Sequence, residues 1–172
     1  GLRPHTSFRL SSAGEYLGLY SAVSPRVASS ELRPGYPEQR VDHSYGLAAG
    51  GEWRYFALPT PGWGNGTSSI VGILPPVHFS VERGYFRLPF NLTLASSAAD
   101  AVIRYTTDGS VPTETRGTVY SSPIPISITR TIRAAAFAPN WLPSNVTTHS
   151  YMMNLSTALS SLPALGLATA RE

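Results

Sequence analysis

The sequence predicts an all-β protein made of two small antiparallel β-sandwich modules in tandem. Three observations predict it. Gly and Pro number 15 each in 172 residues, so turns recur at short intervals. Between the turns lie short runs rich in aromatic and β-branched residues, which suit a pleated, half-buried surface. No amphipathic helix pattern interrupts them before the last stretch of chain. The length fits one large domain or two small ones. Hydrophobic residues at 42% are enough for a packed core. Charged residues at 13% are about half the usual share. Low charge with ordinary hydrophobicity argues against a disordered chain.

Four strands are expected in the first half. Gly14–Ser21 (GEYLGLYS) alternates Tyr16, Gly18 and Tyr20 against Glu15, Leu17 and Leu19, the period of a strand covered in part on both faces. Arg26–Leu32, Arg40–Leu47 and Glu52–Leu58 follow. The last places Trp53 and Tyr55 on one side and Arg54 and Phe56 on the other. Pro59–Ser69 (PTPGWGNGTSS) is dense in Pro, Gly, Asn and Ser and ends the sheet. The expected organisation is a first module over 1–66, a linker over 67–76, a second module over 77–153 and a tail over 154–172. In the second module the candidate strands are Val77–Gly84, Phe90–Ser96, Ala101–Asp108, Thr131–Ala138 and Asn145–Met153. Gly117–Ser127 adds one or two short edge strands, because Pro123 and Pro125 suit only edges. This spacing indicates a small antiparallel sandwich.

Charge and residue types exclude several functions. Net charge is +3, and every Lys-or-Arg position is Arg. The ordinary reading is a genome that favours Arg codons. The functional alternative is a surface for phosphates or acidic polymers, since Arg pairs bidentately with anions. The Arg residues are scattered, with no basic arm, so nucleic acid is not an expected partner. With no Cys, disulfides, Cys-ligated zinc and thiol catalysis are absent. No apolar run is long enough to span a membrane. The chain opens on Gly1 without a basic-then-apolar start, so an export signal is expected elsewhere in a longer protein.

The second half carries a resemblance. IRYTTDGSVPT (Ile103–Thr113), then Tyr120, TIRAAAF (Thr131–Phe137) and the closing Ser-Asn-Val…Tyr (Ser144 to Tyr151) resemble the chitobiase/β-hexosaminidase C-terminal domain. The resemblance covers about 77–153. It implies an immunoglobulin-like β-sandwich and an accessory, non-catalytic role, because the glycosidase site of those enzymes lies in a separate barrel. The first 66 residues, through HTSFRLSSAGEYLGLY, YPEQRVDHSYG and GEWRYFALPTPGWGN, resemble the later part of a bacterial lamin-tail domain. The family's opening strands are missing, which implies an immunoglobulin-like sandwich truncated at its N-terminal side. The tail LSSLPALGLATARE resembles the lead-in to a CotH-like spore-coat kinase domain, none of whose catalytic residues is in this chain. Together these resemblances imply an extracellular or cell-surface segment of a larger bacterial protein. Its expected partners are neighbouring domains of the same polypeptide, with polysaccharide as the alternative. No cofactor is implied.

Candidate chemistry is sparse. Asp108-Gly109 in TTDGS reads as a structural turn: Asp bonds the backbone two residues on, and Gly takes positive φ. The catalytic alternative pairs Asp108 with Glu114, but a glycosidase needs two carboxyls across a cleft. His5, His43, His78 and His149 are widely separated, so no metal site is expected. His43 and His78 are expected at half-buried strand positions. There is no G-x-S-x-G elbow, and GWGNGTSS lacks the Lys of a phosphate loop. Sequons stand at Asn65, Asn91, Asn145 and Asn154 and carry no expectation of use in a bacterial protein. Among the aromatic residues, Trp53, Tyr55, Trp63, Tyr85, Phe86 and Trp141 could contribute a sugar-stacking surface. Trp141, Tyr85 and Trp63 are the candidate glycan contacts, and Trp141, in the loop APNWLPSN, leads them. Packing is the ordinary fate of such rings.

Overall fold

The structure, a computed structural model, describes residues 8–153. The expected lead-in over 154–172, His5 and Asn154 lie outside the described residues. The chain divides between Gly72 and Ile73 into two compact units, and each is described by itself. All regular structure among the described residues is β.

The first unit holds two hairpins. β1 (Glu15–Tyr20) pairs antiparallel with β2 (Ala28–Tyr36), and β3 (Ser44–Leu47) with β4 (Trp53–Phe56). The second hairpin gains a partner beyond its own turn, since the amides of Tyr55 and Ile70 exchange hydrogen bonds of 3.0 and 2.8 Å. Burial departs from simple alternation: Tyr55 and Phe56 are both buried, while Trp53 stays exposed. Tyr45 packs on Tyr55 and stacks on Trp53, with ring centroids 4.9 and 5.6 Å apart. Tyr36 donates its hydroxyl to Ser11 O and to Glu15 Oε1, both at 2.9 Å. The Asn65 amide nitrogen donates to Leu47 O at 2.8 Å, so the Pro-Gly-rich stretch is fastened back onto β3.

The second unit is a sandwich with a filled core. One layer is five-stranded, made of β6 (Gly84–Phe86), β9 (Val102–Thr106), β10 (Thr118–Val119), β12 (Arg130–Phe137) and β13 (Thr147–Met153), in the order β10-β9-β12-β13-β6. The facing strands are β5 (His78–Phe79), β7 (Phe90–Leu92), β8 (Leu94–Ala95) and β11 (Ile124–Ile126). β7 and β8 are one stretch that changes partner at Thr93, from β11 to β5. Pro125 sits opposite Asn91 in the two-stranded β11-β7 ladder, where a missing donor is tolerated. Inward residues of both layers meet in one cluster that includes Leu92, Leu94, Ile103, Ile126, Ile132, Ala134, Ala136 and Tyr151.

Three features depart from the sequence expectation. β13 and β6 pair in parallel, Tyr151 opposite Gly84 and Met153 opposite Phe86, so the layer is not wholly antiparallel. The expected strand Val77–Gly84 is interrupted after Phe79, and its two ends join different layers. The linker expected over 67–76 is also ordered into pairs: Ile70 bonds Tyr55 in the first unit, and Leu74 N donates to Leu142 O at 3.0 Å in the second.

Core position predicts sensitivity. Ile132 is fully buried at the centre of β12, whereas Val119 on the edge strand β10 is exposed. Ile132→Ala is expected to cost about 2–5 kcal/mol in urea unfolding, and Val119→Ala to stay within about 0.5 kcal/mol.

Candidate functional site

The lead candidate, Trp141, sits in a turn that follows β12. Asn140 takes a left-handed φ of 59°, and Trp141 N donates to Ala138 O at 3.2 Å. Leu142 then turns inward, buried beside Ile73. This places the Trp141 ring half against the core and half in a groove of about 350 Å³. Val102, Arg104, Glu114, Phe137 and Asn140 also line that groove. β9 presents Val102 and Arg104 on its outer face, and Arg104 Nη1 donates to Gly117 O at 3.0 Å. Ser144 holds the far side of the turn. Its amide donates to Ala136 O at 3.1 Å, and its hydroxyl accepts from Ala136 N at 2.9 Å. A ring half in the core, a carboxylate and a guanidinium thus share one shallow groove.

The other two candidates stand apart. Tyr85 lies on β6 opposite Met152, 72% exposed, beyond the Arg130 end of β12. Trp141 follows the Phe137 end, so the length of β12, about 25 Å at the rise of an extended strand, separates them. Trp63, 85% exposed, belongs to the first unit.

Asp108 and Gly109 form a stapled turn. Ser110 donates to Asp108 Oδ1 from its amide at 3.0 Å and from its hydroxyl at 2.7 Å. Gly109 takes a φ of 82°. Thr106 Oγ1 donates to Ser110 O at 2.6 Å, and Arg133 Nη1 donates to Gly109 O at 2.7 Å. The donors of Ser110 hold the Asp108 carboxyl below the usual carboxylate range, with Arg116 adding to them. Asp108 and Arg116 line a separate concavity of about 490 Å³. Glu114 lines the Trp141 groove instead, so the two carboxylates do not face one another across a single cleft.

The histidines take unrelated places. His43 is half-buried, and its Nδ1 lies 2.9 Å from Val41 O. His78, expected to be half-buried, is exposed, because the inward position of β5 belongs to Phe79. His149, opposite Ile132 on β13, is mostly buried, its ring 4.4 Å from Phe79 of the facing layer and its Nε2 3.7 Å from Glu82. Among the described residues no three His, Asp or Glu side chains gather as a metal site would need.

Sequence reasoning missed one cluster. On the outer face of the β1-β2 hairpin, the Tyr16 and Tyr20 hydroxyls hydrogen-bond at 2.5 Å, and Tyr16 also donates to Glu31 Oε2 at 3.0 Å. Arg33 Nε pairs with that same oxygen at 2.8 Å. The Tyr20 hydrogen bond, helped by partial burial and by Glu31, pushes the Tyr16 hydroxyl up to about 12. Arg33, followed by Tyr16, lowers Glu31. The Tyr-x-Gly-x-Tyr spacing was the available signal.

The depressed Asp108 carboxyl has a pH signature. A group whose folded value is lowered stabilises the fold above its unfolded value, about 3.9, and loses that contribution as pH falls through the folded value. Asp108→Asn keeps an acceptor for Ser110 but removes the charge. Acid titrations followed by urea unfolding are expected to show a shallower loss of stability below pH ~4 for the variant than for the parent.

Neither a curated protein nor a solved structure matches the chain. Residues 81–148, which run from the edge of β5 into β13, match the family model of the chitobiase/β-hexosaminidase C-terminal domain.

Proposed function

We propose that this chain is a non-catalytic accessory segment of a larger extracytoplasmic bacterial protein, whose β-modules space or present neighbouring domains. The observation that carries this reading is the fate of the carboxylates in the sandwich grooves. Asp108 accepts two hydrogen bonds from its own turn, and Glu114 stands in a different groove. Glycoside hydrolysis by paired carboxyls needs both across one scissile bond. The match over residues 81–148 to an accessory domain of glycosidases supports the same role. On this reading residues 1–66 are the later part of a lamin-tail-like module, and 154–172 lead towards a CotH-like kinase domain. The motif residues quoted for each support those assignments. The 172-residue chain, incubated with a chromogenic β-N-acetylglucosaminide, is expected to release no more chromophore than a buffer blank. Release abolished by Asp108→Asn or Glu114→Gln would overturn the proposal.

A second reading, a carbohydrate-binding module beside a glycan-active or kinase protein, is favoured by one arrangement. Trp141, Glu114, Arg104 and Asn140 line a common groove, which offers an aromatic surface with hydrogen-bonding groups around it. That reading expects retention on a polysaccharide matrix, lost in Trp141→Ala and weakened in Glu114→Ala. Equal elution of parent and variants from every matrix would sink it.

A further inference from the structure

We infer that the outer face of the β1-β2 hairpin is a stacking platform for a neutral, extended polysaccharide chain, built from Tyr16 and Tyr20 laid over Gly18 and edged by Glu31 and Arg33. This site lies in the first unit. It is independent of the Trp141 groove and goes beyond the accessory role.

The platform begins with alternation. Tyr16, Gly18 and Tyr20 share one face of β1, while Leu17 and Leu19 take the other. A Cβ built on Gly18 would lie 2.5 Å from the Tyr16 hydroxyl oxygen and 2.7 Å from Tyr20 Cε2. The two rings therefore converge over position 18, joined hydroxyl to hydroxyl. The backbone does not demand glycine there, for Gly18 is not among the positive-φ glycines. Within a strand glycine is disfavoured relative to Ala. The space its missing side chain leaves is filled by the rings.

The result is a preorganised aromatic strip in water. Each ring is 43% exposed, and the strip runs between Cα positions four residues apart, about 13 Å along an extended strand. That length exceeds one sugar ring and calls for a chain. A pyranose has an apolar C–H face and a rim of hydroxyls, and the hairpin offers the complement. The rings supply the apolar surface, and Glu31 and Arg33 supply an acceptor and donors beside it. The ion pair engages Nε of Arg33 and Oε2 of Glu31, which leaves the terminal guanidinium nitrogens and Oε1 for hydroxyl groups. The Arg33 guanidinium carbon, 5.7 Å from the Tyr16 ring centroid, lies near the outer limit of cation–π contact, and its side chain is 68% exposed. It lies over the Tyr16 end of the strip. Because Glu31 and Arg33 cancel, the set carries no net charge, which favours a neutral polymer over an anionic one.

Affinity electrophoresis of the full 172-residue chain tests the assignment. The gels would contain hydroxyethylcellulose or glycol chitin as neutral β-linked chains, and carboxymethylcellulose as the anionic counterpart. The parent is expected to be retarded by at least one neutral polymer, and less by the anionic one. Tyr16→Ala/Tyr20→Ala is expected to weaken retardation at least tenfold. Gly18→Val is the sharper probe: it keeps both tyrosines and suits a strand, but forces the rings apart. It is expected to weaken retardation as much as the double variant while thermal unfolding stays unchanged. Trp141→Ala is expected to change retardation less than twofold. Absence of retardation by both neutral polymers would overturn the assignment. So would retention by a folded Gly18→Val variant, or a dependence on Trp141 without one on the tyrosines; the last would support the groove of the second unit and leave the accessory role standing.

Discussion

The hydroxyl of Tyr151, donated to the Val81 carbonyl at 2.8 Å across 70 residues of chain, closes the second sandwich. Tyr151 is completely buried. Burial, followed by the nearby Glu82 charge, pushes its hydroxyl up to about 12, so it stays a donor at any ordinary pH. Its ring lies 5.8 Å from Phe86 and 5.4 Å from Phe90, joining the last strand to β6 and β7. The parallel β6-β13 ladder sits directly alongside, with Tyr151 opposite Gly84. Parallel pairs are slightly less stable per residue than antiparallel ones, and a three-residue ladder needs this kind of anchoring.

With that edge closed, β12 lies at the centre of the five-stranded layer. Its inward residues Ile132, Ala134 and Ala136 are all buried in the shared cluster. The loops at the ends of β9 and β12 inherit this rigidity. The Asp108 turn is fastened by Arg133 of β12, and the Trp141 turn by Ser144 bonding back to Ala136. The turns that line each groove are therefore tied back to the strands of the layer. At the grooves, Asp108 accepts from Ser110 and Arg104 donates to Gly117 O, so these side chains hold turns in place.

Much of this organisation was legible in the sequence. The strand at Val102–Thr106 and its partner at Arg130–Phe137 were visible through β-branched and aromatic runs, and the Asp108-Gly109 turn through residue chemistry. What escaped was long-range. Nothing local in Gly84–Phe86 marks it as a strand, because its ladder partner lies about 67 residues later. His78 was misjudged as half-buried because Phe79 and the break after it set which face turns inward. Alternation places Trp53 and Tyr55 on one side, yet Tyr55 is buried and Trp53 exposed. At the candidate site, Trp141 in its loop was legible, while its separation from Tyr85 depended on register along β12. The Tyr16–Gly18–Tyr20 face was visible as an alternation. That its rings lie over the glycine followed only from side-chain geometry.

Equilibrium urea unfolding of Tyr151→Phe tests the closure most directly. The variant keeps the ring and its packing and removes only the hydroxyl. The account predicts a lower unfolding midpoint with an unchanged slope, a loss of about 1 kcal/mol or more for a buried hydrogen bond whose acceptor is left behind. A midpoint equal to that of the parent would contradict it.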